Sequence, residues 1–419
     1  MVYVIRFFTS DETIEQSCAL ESSKLTTEDL SKIQFVRILK LLIGNDEHLP
    51  DSTYVLPVIS SWKELVLVFF QEWTKFFPKL FVLIKLLSNL EEGKYLGISL
   101  NDSMEYLEKK RLLFEMQERE NGIPAKKQYN IFLNQNGSLY EKYRPMAFSY
   151  DERIRFGTQD RTKRVCRYCG KKMPATTFKN ASHTISKCLG NISFFTNDEC
   201  DICNSKFGKT IETEFLKYVS IYRTLASQFE GHPYFTTIND TYKIEIDKET
   251  NKVVFQIIDK SKTVVNVSRH QTSIDADGGT INFHNVYRAL VKFAVGMLPD
   301  KELPFFEETI KWVNGDENIR TLPIVKETIY KEPEPHPYVN FFFRNTDSKE
   351  YPYLIADFHV NHLEFLYVIP GCKNDSIDIK ENILDVFLIL KNDKNEWRNL
   401  KMNCPQPQKM TLHASFYRK

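Results

Sequence analysis

Nowhere does the sequence hold an apolar run of the roughly 18 residues that a membrane-spanning helix requires. Its most apolar stretch, residues 62 to 90, is interrupted by Lys63, Glu64, Glu72, Lys75, Lys79 and Lys85 and divided by Pro78, so two buried helices are expected there. The opening residues Met1–Ser10 have neither the apolar core nor the small-residue cleavage site of a signal peptide, and a cytoplasmic protein with no membrane partner is expected. No P-loop and no other glycine-rich phosphate cradle is present, so this chain does not encode a nucleotide-driven motor. It also lacks an internal repeat and a charge bias: 56 Lys and Arg stand against 55 Asp and Glu, for a net charge of +1. Any contact with nucleic acid must therefore be local. The eight cysteines form no dense disulfide framework, which points to a reducing compartment.

What the sequence does have is one stretch, Cys166 to Tyr218, that reads CRYCGKKMPATTFKNASHTISKCLGNISFFTNDECDICNSKFGKTIETEFLKY. Two Cys-x-x-Cys pairs, Cys166/Cys169 and Cys200/Cys203, bracket a segment holding one histidine, His183. A two-residue spacer lets both sulfurs of a knuckle turn toward one metal, and four thiolates close a tetrahedral zinc shell. With four sulfurs no coordination position stays open, so zinc here is a structural staple. A redox Cys-x-x-Cys would leave the second pair without a purpose. Cys18, Cys188, Cys372 and Cys404 occur singly and read as reduced thiols.

The interval between the knuckles exceeds the roughly 15 to 20 residues of a plain zinc ribbon. Phe178 to Ile185 reads as a strand, Leu189-Gly190-Asn191 as a turn and Ile192 to Phe195 as a second strand. From Cys203 to Phe229, apolar residues Phe207, Ile211, Phe215, Leu216, Val219, Tyr222 and Leu225 recur near helical spacing, with Gly208 a weak point. The local order is strand, strand, helix.

Residues 160 to 220 resemble the HNH endonucleases of the ββα-metal (His-Me finger) type that carry a four-cysteine zinc staple. The resemblance lies in Cys166-x-x-Cys169-Gly170, Ser182-His183-Thr184-Ile185, Leu189-Gly190-Asn191 and Cys200-x-x-Cys203-Asn204, with Phe207-Gly208 and Glu212 after it. It implies that His183 is the general base and that the amide oxygen of Asn204 binds a catalytic magnesium or manganese ion. A neutral histidine suits the first task because its pKa lies near working pH. A hard divalent ion suits the second, offsetting charge on the phosphate and the leaving oxygen. Many members of the family have an aspartate before the histidine, whereas this chain has Ser182. Glu212, two helical turns beyond Asn204, is the candidate to complete the shell, with Asp198 and Glu199 as alternatives. The middle asparagine of the motif is Asn191 or Asn197.

Leading into the staple, Arg153, Arg155, Arg161, Lys163, Arg164, Arg167, Lys171 and Lys172 stand against Asp160 alone, with Phe156 and Tyr168 interleaved. This ribbon is expected to neutralise DNA phosphates without reading sequence.

Elsewhere the patterns are structural. Thr26 and Asp29 open a helix with apolar face Leu30, Ile33, Val36, Leu39 and Ile43. Asn101 or Asp102 caps another, and Asn136-Gly137 predicts a hairpin joining Tyr129–Leu133 to Leu139–Tyr143. Strands are expected over 242–247, 252–258 and 263–267, a turn at Asp277-Gly278-Gly279, and helices over 284–298 and 302–313. Lys331 to Pro337, with three prolines, reads as a loop. Residues 338–343, 353–358, 363–369 and 383–390 read as antiparallel strands, with alternation placing His359 and His362 on opposite faces.

The sequence thus predicts a multi-domain α+β protein. Residues 1–148 form a mostly helical domain with a terminal hairpin, 149–230 the nuclease module, 231–330 an α+β region and 338–419 a β-rich region. The resemblance implies a metal-dependent endonuclease acting on DNA, of a kind that often serves bacterial defence against phage. The flanking regions would sense an activator or protein partner, and a symmetric double-strand cut would call for a homo-oligomer. The competing reading is a zinc-stapled nucleic-acid-binding or adaptor protein whose nuclease centre has decayed. RNA as substrate stays open, since nothing in the motif reads the 2′-hydroxyl.

Overall fold

The computed structural model describes residues 3–9, 15–20, 53–74, 80–99, 106–148, 153–230, 235–238, 240–247, 249–268, 271–316, 319, 322–375, 382–402 and 406–417. The helix expected from Thr26 and the caps Asn101 and Asp102 lie outside these residues. The fold is mixed α+β, and the chain divides into two compact units, Met1–Ser138 and Leu139–Lys419.

The first unit holds β1 (Tyr3–Thr9), β2 (Glu15–Leu20), β3 (Thr53–Pro57), α1 (Ser60–Trp73), α2 (Leu80–Asn89), β4 (Tyr95–Ser99) and α3 (Tyr106–Asn121), while α4 (Ala125–Lys142) runs across the division. The strands pair antiparallel in the order β2-β1-β4-β3, a sheet that the helical expectation for residues 1–148 did not include. The apolar stretch forms two helices, α1 and α2, as expected, while Pro78 lies outside the described residues. α3 buries Leu112, Leu113 and Met116, one stripe at helical spacing, against Val55 and Tyr95. Arg119 on the same helix donates to the Val55 carbonyl at 2.9 Å and covers the Tyr95 ring.

The hairpin expected at Asn136-Gly137 is corrected: both residues lie inside α4. A glycine within a helix costs about 1 kcal/mol. Leu139, 1% exposed, regains more than that, since burying a leucine is worth about 1.5 to 3 kcal/mol.

In the second unit follow β5 (Tyr143–Met146), β6 (Ile154–Phe156), β7 (Ser182–His183), β8 (Phe194–Thr196), α5 (Asp201–Lys209), α6 (Ile211–Glu230), β9 (Phe235–Ile238), β10 (Tyr242–Ile246), β11 (Val253–Ile257), β12 (Thr263–Val267) and β13 (Gln271–Ile281). Then come α7 (Phe283–Met297), α8 (Glu307–Asn314), β14 (Val325–Arg344), β15 (Leu354–Val368), α9 (Ile383–Leu390), β16 (Arg398–Leu400) and β17 (Gln408–Tyr417). β14 is the spine of one sheet, pairing antiparallel with β15, β16 and β5. Two three-stranded sheets have the orders β11-β10-β9 and β12-β13-β17. The smallest, β6-β8-β7, carries His183 on its edge.

Further expectations are corrected. The proline-rich segment Lys331–Pro337 lies within β14, and the ladder shifts register between Ile329 and Glu334 and again between Glu334 and Tyr338. Prolines cannot donate to a ladder, and these irregularities are where the strand accommodates them. Asp277 to Gly279 is a bulge in β13 rather than a turn. The run Ile383–Leu390 is helix α9, with Ile383, Leu384, Phe387 and Leu388 buried and Ile389 exposed, a helical stripe that the surrounding apolar residues hide. The two strands expected over 353–358 and 363–369 merge into one, β15 (Leu354–Val368), whose alternation breaks at Asn361 with φ +52. In the nuclease segment the first expected strand shrinks to β7, and the single expected helix divides at Thr210 into α5 and α6.

The largest hydrophobic core of the second unit joins the cysteine-bracketed segment to α7, β14 and β15. Phe156, Ile185, Phe194, Phe207 and Phe215 belong to the same cluster as Leu290, Phe293, Phe341, Phe358 and Phe365. Phe215 on α6 is fully buried, with its ring 5.4 Å from Phe293, 5.9 Å from Phe358 and 5.7 Å from Phe365. Phe215→Ala is expected to cost about 3 to 5 kcal/mol, read as a lowered denaturant midpoint with unchanged slope.

Candidate functional site

The four predicted zinc ligands come together. One sulfur each from Cys166, Cys169, Cys200 and Cys203 lies within 4.8 Å of the others, and no disulfide joins them. A tetrahedral zinc with bonds of about 2.3 Å sets its sulfurs about 3.8 Å apart, and Cys169 Sγ lies 3.8 Å from Cys200 Sγ. The donor set therefore fits zinc. Local backbone chemistry explains each knuckle. In the first, Cys166 N–H donates to the Lys171 carbonyl and Gly170 N–H to the Cys166 carbonyl, with Gly170 at φ +68 where a side chain would be strained. In the second, Cys200 caps α5 and Cys203 sits in its first turn. The Asp201 carboxylate accepts from the Thr177 hydroxyl and from the Lys179 and Asn180 amides, tying α5 to the loop before β7. A hydrogen bond with Cys203 draws the Cys166 thiol down to about 5, while burial pushes Cys169 up to about 11. A cation at the centre is what allows all four to ionise together.

His183 stands on β7 opposite Phe195 of β8. Its ring is half-buried and packs on Phe195 with centroids 4.5 Å apart, while Nδ1 is buried and makes no hydrogen bond. Of the two candidate asparagines, Asn191 clasps this hairpin. Its Nδ2 donates to the Ile185 and Phe194 carbonyls and its Oδ1 accepts from the Ser193 and Phe194 amides. Asn197 is also buried, but its Nδ2 makes no hydrogen bond. Exposed Arg153 and Arg155 lie over the same Phe195 ring, with guanidinium carbons 4.7 and 5.1 Å from its centroid. Burial first, then the charges of Lys187, Lys292 and Arg153, hold His183 below the ordinary histidine value, and Glu212 pulls the other way. The imidazole is neutral at pH 7.

Beneath the hairpin lies a residue that the sequence reading missed. Lys292 on α7 is fully buried and reaches the strand of His183 from below. Its ammonium donates to the His183 and Thr184 carbonyls at 3.1 and 3.3 Å and pairs with Glu212 at 2.8 Å and Glu199 at 3.3 Å. Burial alone would lower Lys292, but the two glutamates raise it above the ordinary lysine value, while burial lifts Glu199 to about 7. The sequence signal was there: one lysine in the otherwise apolar run Ala289 to Met297. Close approach of α7 depends on Gly296, where an added Cβ would come within 3.2 Å of the Thr184 side chain. Lys292→Met would strand two buried carboxylates and is expected to cost about 3 to 5 kcal/mol. Adding Glu199→Gln and Glu212→Gln should recover part of that loss in denaturant titrations.

Glu212 is therefore 8% exposed and paired with Lys292, so a metal bound there would share its carboxylate with the ammonium. Asn204 follows Cys203 in the first turn of α5 and is partly exposed. Asp198, the other alternative, accepts from the Thr158 amide at 2.9 Å. It packs so close to Gly157, at φ +80, that a Cβ there would meet its Oδ2 at 2.1 Å.

The expected phosphate-binding ribbon is divided. Arg161, Lys163, Lys171 and Lys172 are exposed, and Arg164 is partly buried, donating to the Thr158 and Gln159 carbonyls. Arg167 leaves that surface altogether. Its buried guanidinium donates to the carbonyls of Val295, Gly296 and Leu298, capping the carbonyl end of α7. It also pairs with Asp300 at 3.5 Å, which leaves it no face for a phosphate.

Among the described residues no helix is long and apolar enough to cross a membrane. Comparison with curated proteins and with solved structures found no match. The family model for HNH endonuclease does match, over residues 166–220, the segment that holds the zinc-compatible cysteine staple, the His183 hairpin and α5.

Proposed function

We propose that this protein is a metal-dependent endonuclease that hydrolyses DNA phosphodiester bonds, with His183 as the general base. The observation that carries the reading is His183 itself, neutral, held on a clasped hairpin beside exposed arginines, inside the HNH-matched segment. His183 would take the proton of the attacking water, a task for which a base with a pKa near working pH is suited. Arg153, Arg155 and the exposed Arg161, Lys163, Lys171 and Lys172 would hold the backbone phosphates, with Arg164 as a minor contributor. A magnesium or manganese ion would supply charge stabilisation at the phosphate, held by Asn204 with Glu212. Their oxygen donors suit a hard cation, and Glu199 adds a buried Oε1 with no hydrogen bond in the same neighbourhood. Lys292 would fix the height of the His183 strand through its two carbonyl bonds.

The test is plasmid cleavage by the full chain with magnesium, manganese or chelator. Nicking or linearisation that chelator stops supports the reading. Retention of DNA without cleavage under every metal condition favours the second reading, a zinc-stapled DNA-binding adaptor. Two observations speak for that alternative: Ser182 stands where the family resemblance calls for an aspartate, and both Glu199 and Glu212 are committed to Lys292. Service in defence against phage belongs to the same proposal, and unchanged plating of phage on cells carrying the intact gene would remove it.

A further inference from the structure

A second group of metal-ligating side chains lies apart from the cysteine staple, on β15. Asp357, His359 and Glu364 each bring one donor atom within 4.8 Å of the others. Strand alternation would place Asp357 and His359 on one face and Glu364 on the other. The left-handed Asn361 between them breaks that alternation and lets Glu364 join the pair. His359 Nε2 lies 3.1 Å from Asp357 Oδ1 and 3.7 Å from Glu364 Oε1. A tetrahedral ion with bonds of about 2.1 Å sets its ligands about 3.4 Å apart, a value between the two.

The surroundings are those of a built site. The His359 ring is stacked between Tyr338, at 4.5 Å and 13°, and Tyr330, at 6.4 Å and 24°, which fixes its plane. The Tyr330 hydroxyl donates to Glu364 Oε2, and Lys391 pairs with Asp357 Oδ2 at 3.3 Å and with Glu364 Oε1 at 3.2 Å. Such outer partners orient ligands in metal sites. Asp357 Oδ1 is the telling atom. Its side chain is 3% exposed and this oxygen makes no hydrogen bond, although His359 Nε2 is 3.1 Å away. Two donor atoms facing each other in a buried place need positive charge between them, which either an imidazolium proton or a bound cation supplies. Lys391 is the one cation paired with Asp357, Glu364 and nearby Asp393, so carboxylates outnumber ammonium groups in this cluster.

We propose that Asp357, His359 and Glu364 form a second divalent-metal site, which takes zinc or a similar borderline ion and is independent of the cysteine staple. One imidazole and two carboxylates suit such an ion, and three protein ligands leave a fourth position for water.

The experiment counts metal in the full chain after equilibration with zinc and removal of loosely held ion. Two zinc ions per chain are expected for the wild type, and one for His359→Gln and for Asp357→Asn, with circular dichroism following the fold. Cobalt substitution separates the sites independently of the variants, because a four-thiolate centre gives intense charge-transfer absorption and a nitrogen-oxygen centre gives only weak visible bands. One zinc per chain in the wild type, or two retained by both variants, overturns the proposal and leaves the cluster a self-contained ion-pair network.

Discussion

His183→Ala should lower plasmid cleavage by about 10² to 10⁴-fold, the range a positioned general base contributes, while zinc content and melting temperature stay at wild-type values. The side chain is half-buried on an edge strand, and its ring contact is with Phe195 alone among the described aromatic pairs. Its loss therefore removes chemistry and little packing. The same assay run against pH checks the assignment from the other side. Because burial and neighbouring cations depress His183, the base form persists below the ordinary histidine value of about 6.5. Activity should fall only as pH drops through that depressed value, so the acid limb of the wild-type profile lies below about 6.5. An acid limb above it, or cleavage undiminished in the alanine variant, would sink the role of His183.

Removing the zinc should have the largest structural effect. Cys166, Cys200 and Cys203 are buried members of the core that also contains Phe215, Phe293 and Phe358. Structural zinc binds its ligands with about 10 to 16 kcal/mol of apparent free energy at neutral pH, which matches or exceeds the roughly 5 to 15 kcal/mol that holds a typical domain folded. Cys203→Ser, or a strong chelator on the wild type, should thus unfold the second unit and not merely loosen the knuckles. Thermal melts followed by tryptophan fluorescence would register it, since Trp312 is 1% exposed in that same core. A chelated protein that melts like the zinc form would show that the staple is dispensable.

The parts legible in the sequence were those written locally. Two Cys-x-x-Cys knuckles declare their metal through a two-residue spacer, and the cysteines do cluster. Helices α7 and α8 follow periodicities that run without interruption. Legibility failed where a distant partner decides. Gly137 reads as a turn until Leu139 is buried, and Pro333, Pro335 and Pro337 read as a loop until β15 lies alongside and Glu334 pairs with Asn361. Lys292 is the clearest case, because Glu199, Glu212 and the His183 carbonyl lie 80 or more residues away in the chain. Ile383–Leu390 failed differently: in a wholly apolar run, period 2 and period 3.6 look alike.

The joining of His183 to α7 also sets an order of events during synthesis. When the ribosome has finished the HNH-matched segment, the lysine that supports the His183 strand has not been made, and neither have Phe293, Phe358 and Phe365, against which Phe215 packs. At about 5 to 20 residues per second, the interval before β15 emerges is on the order of ten seconds. A nascent chain therefore carries its HNH-matched segment in an unassembled state, and truncated products that end before α7 should show none of the proposed cleavage.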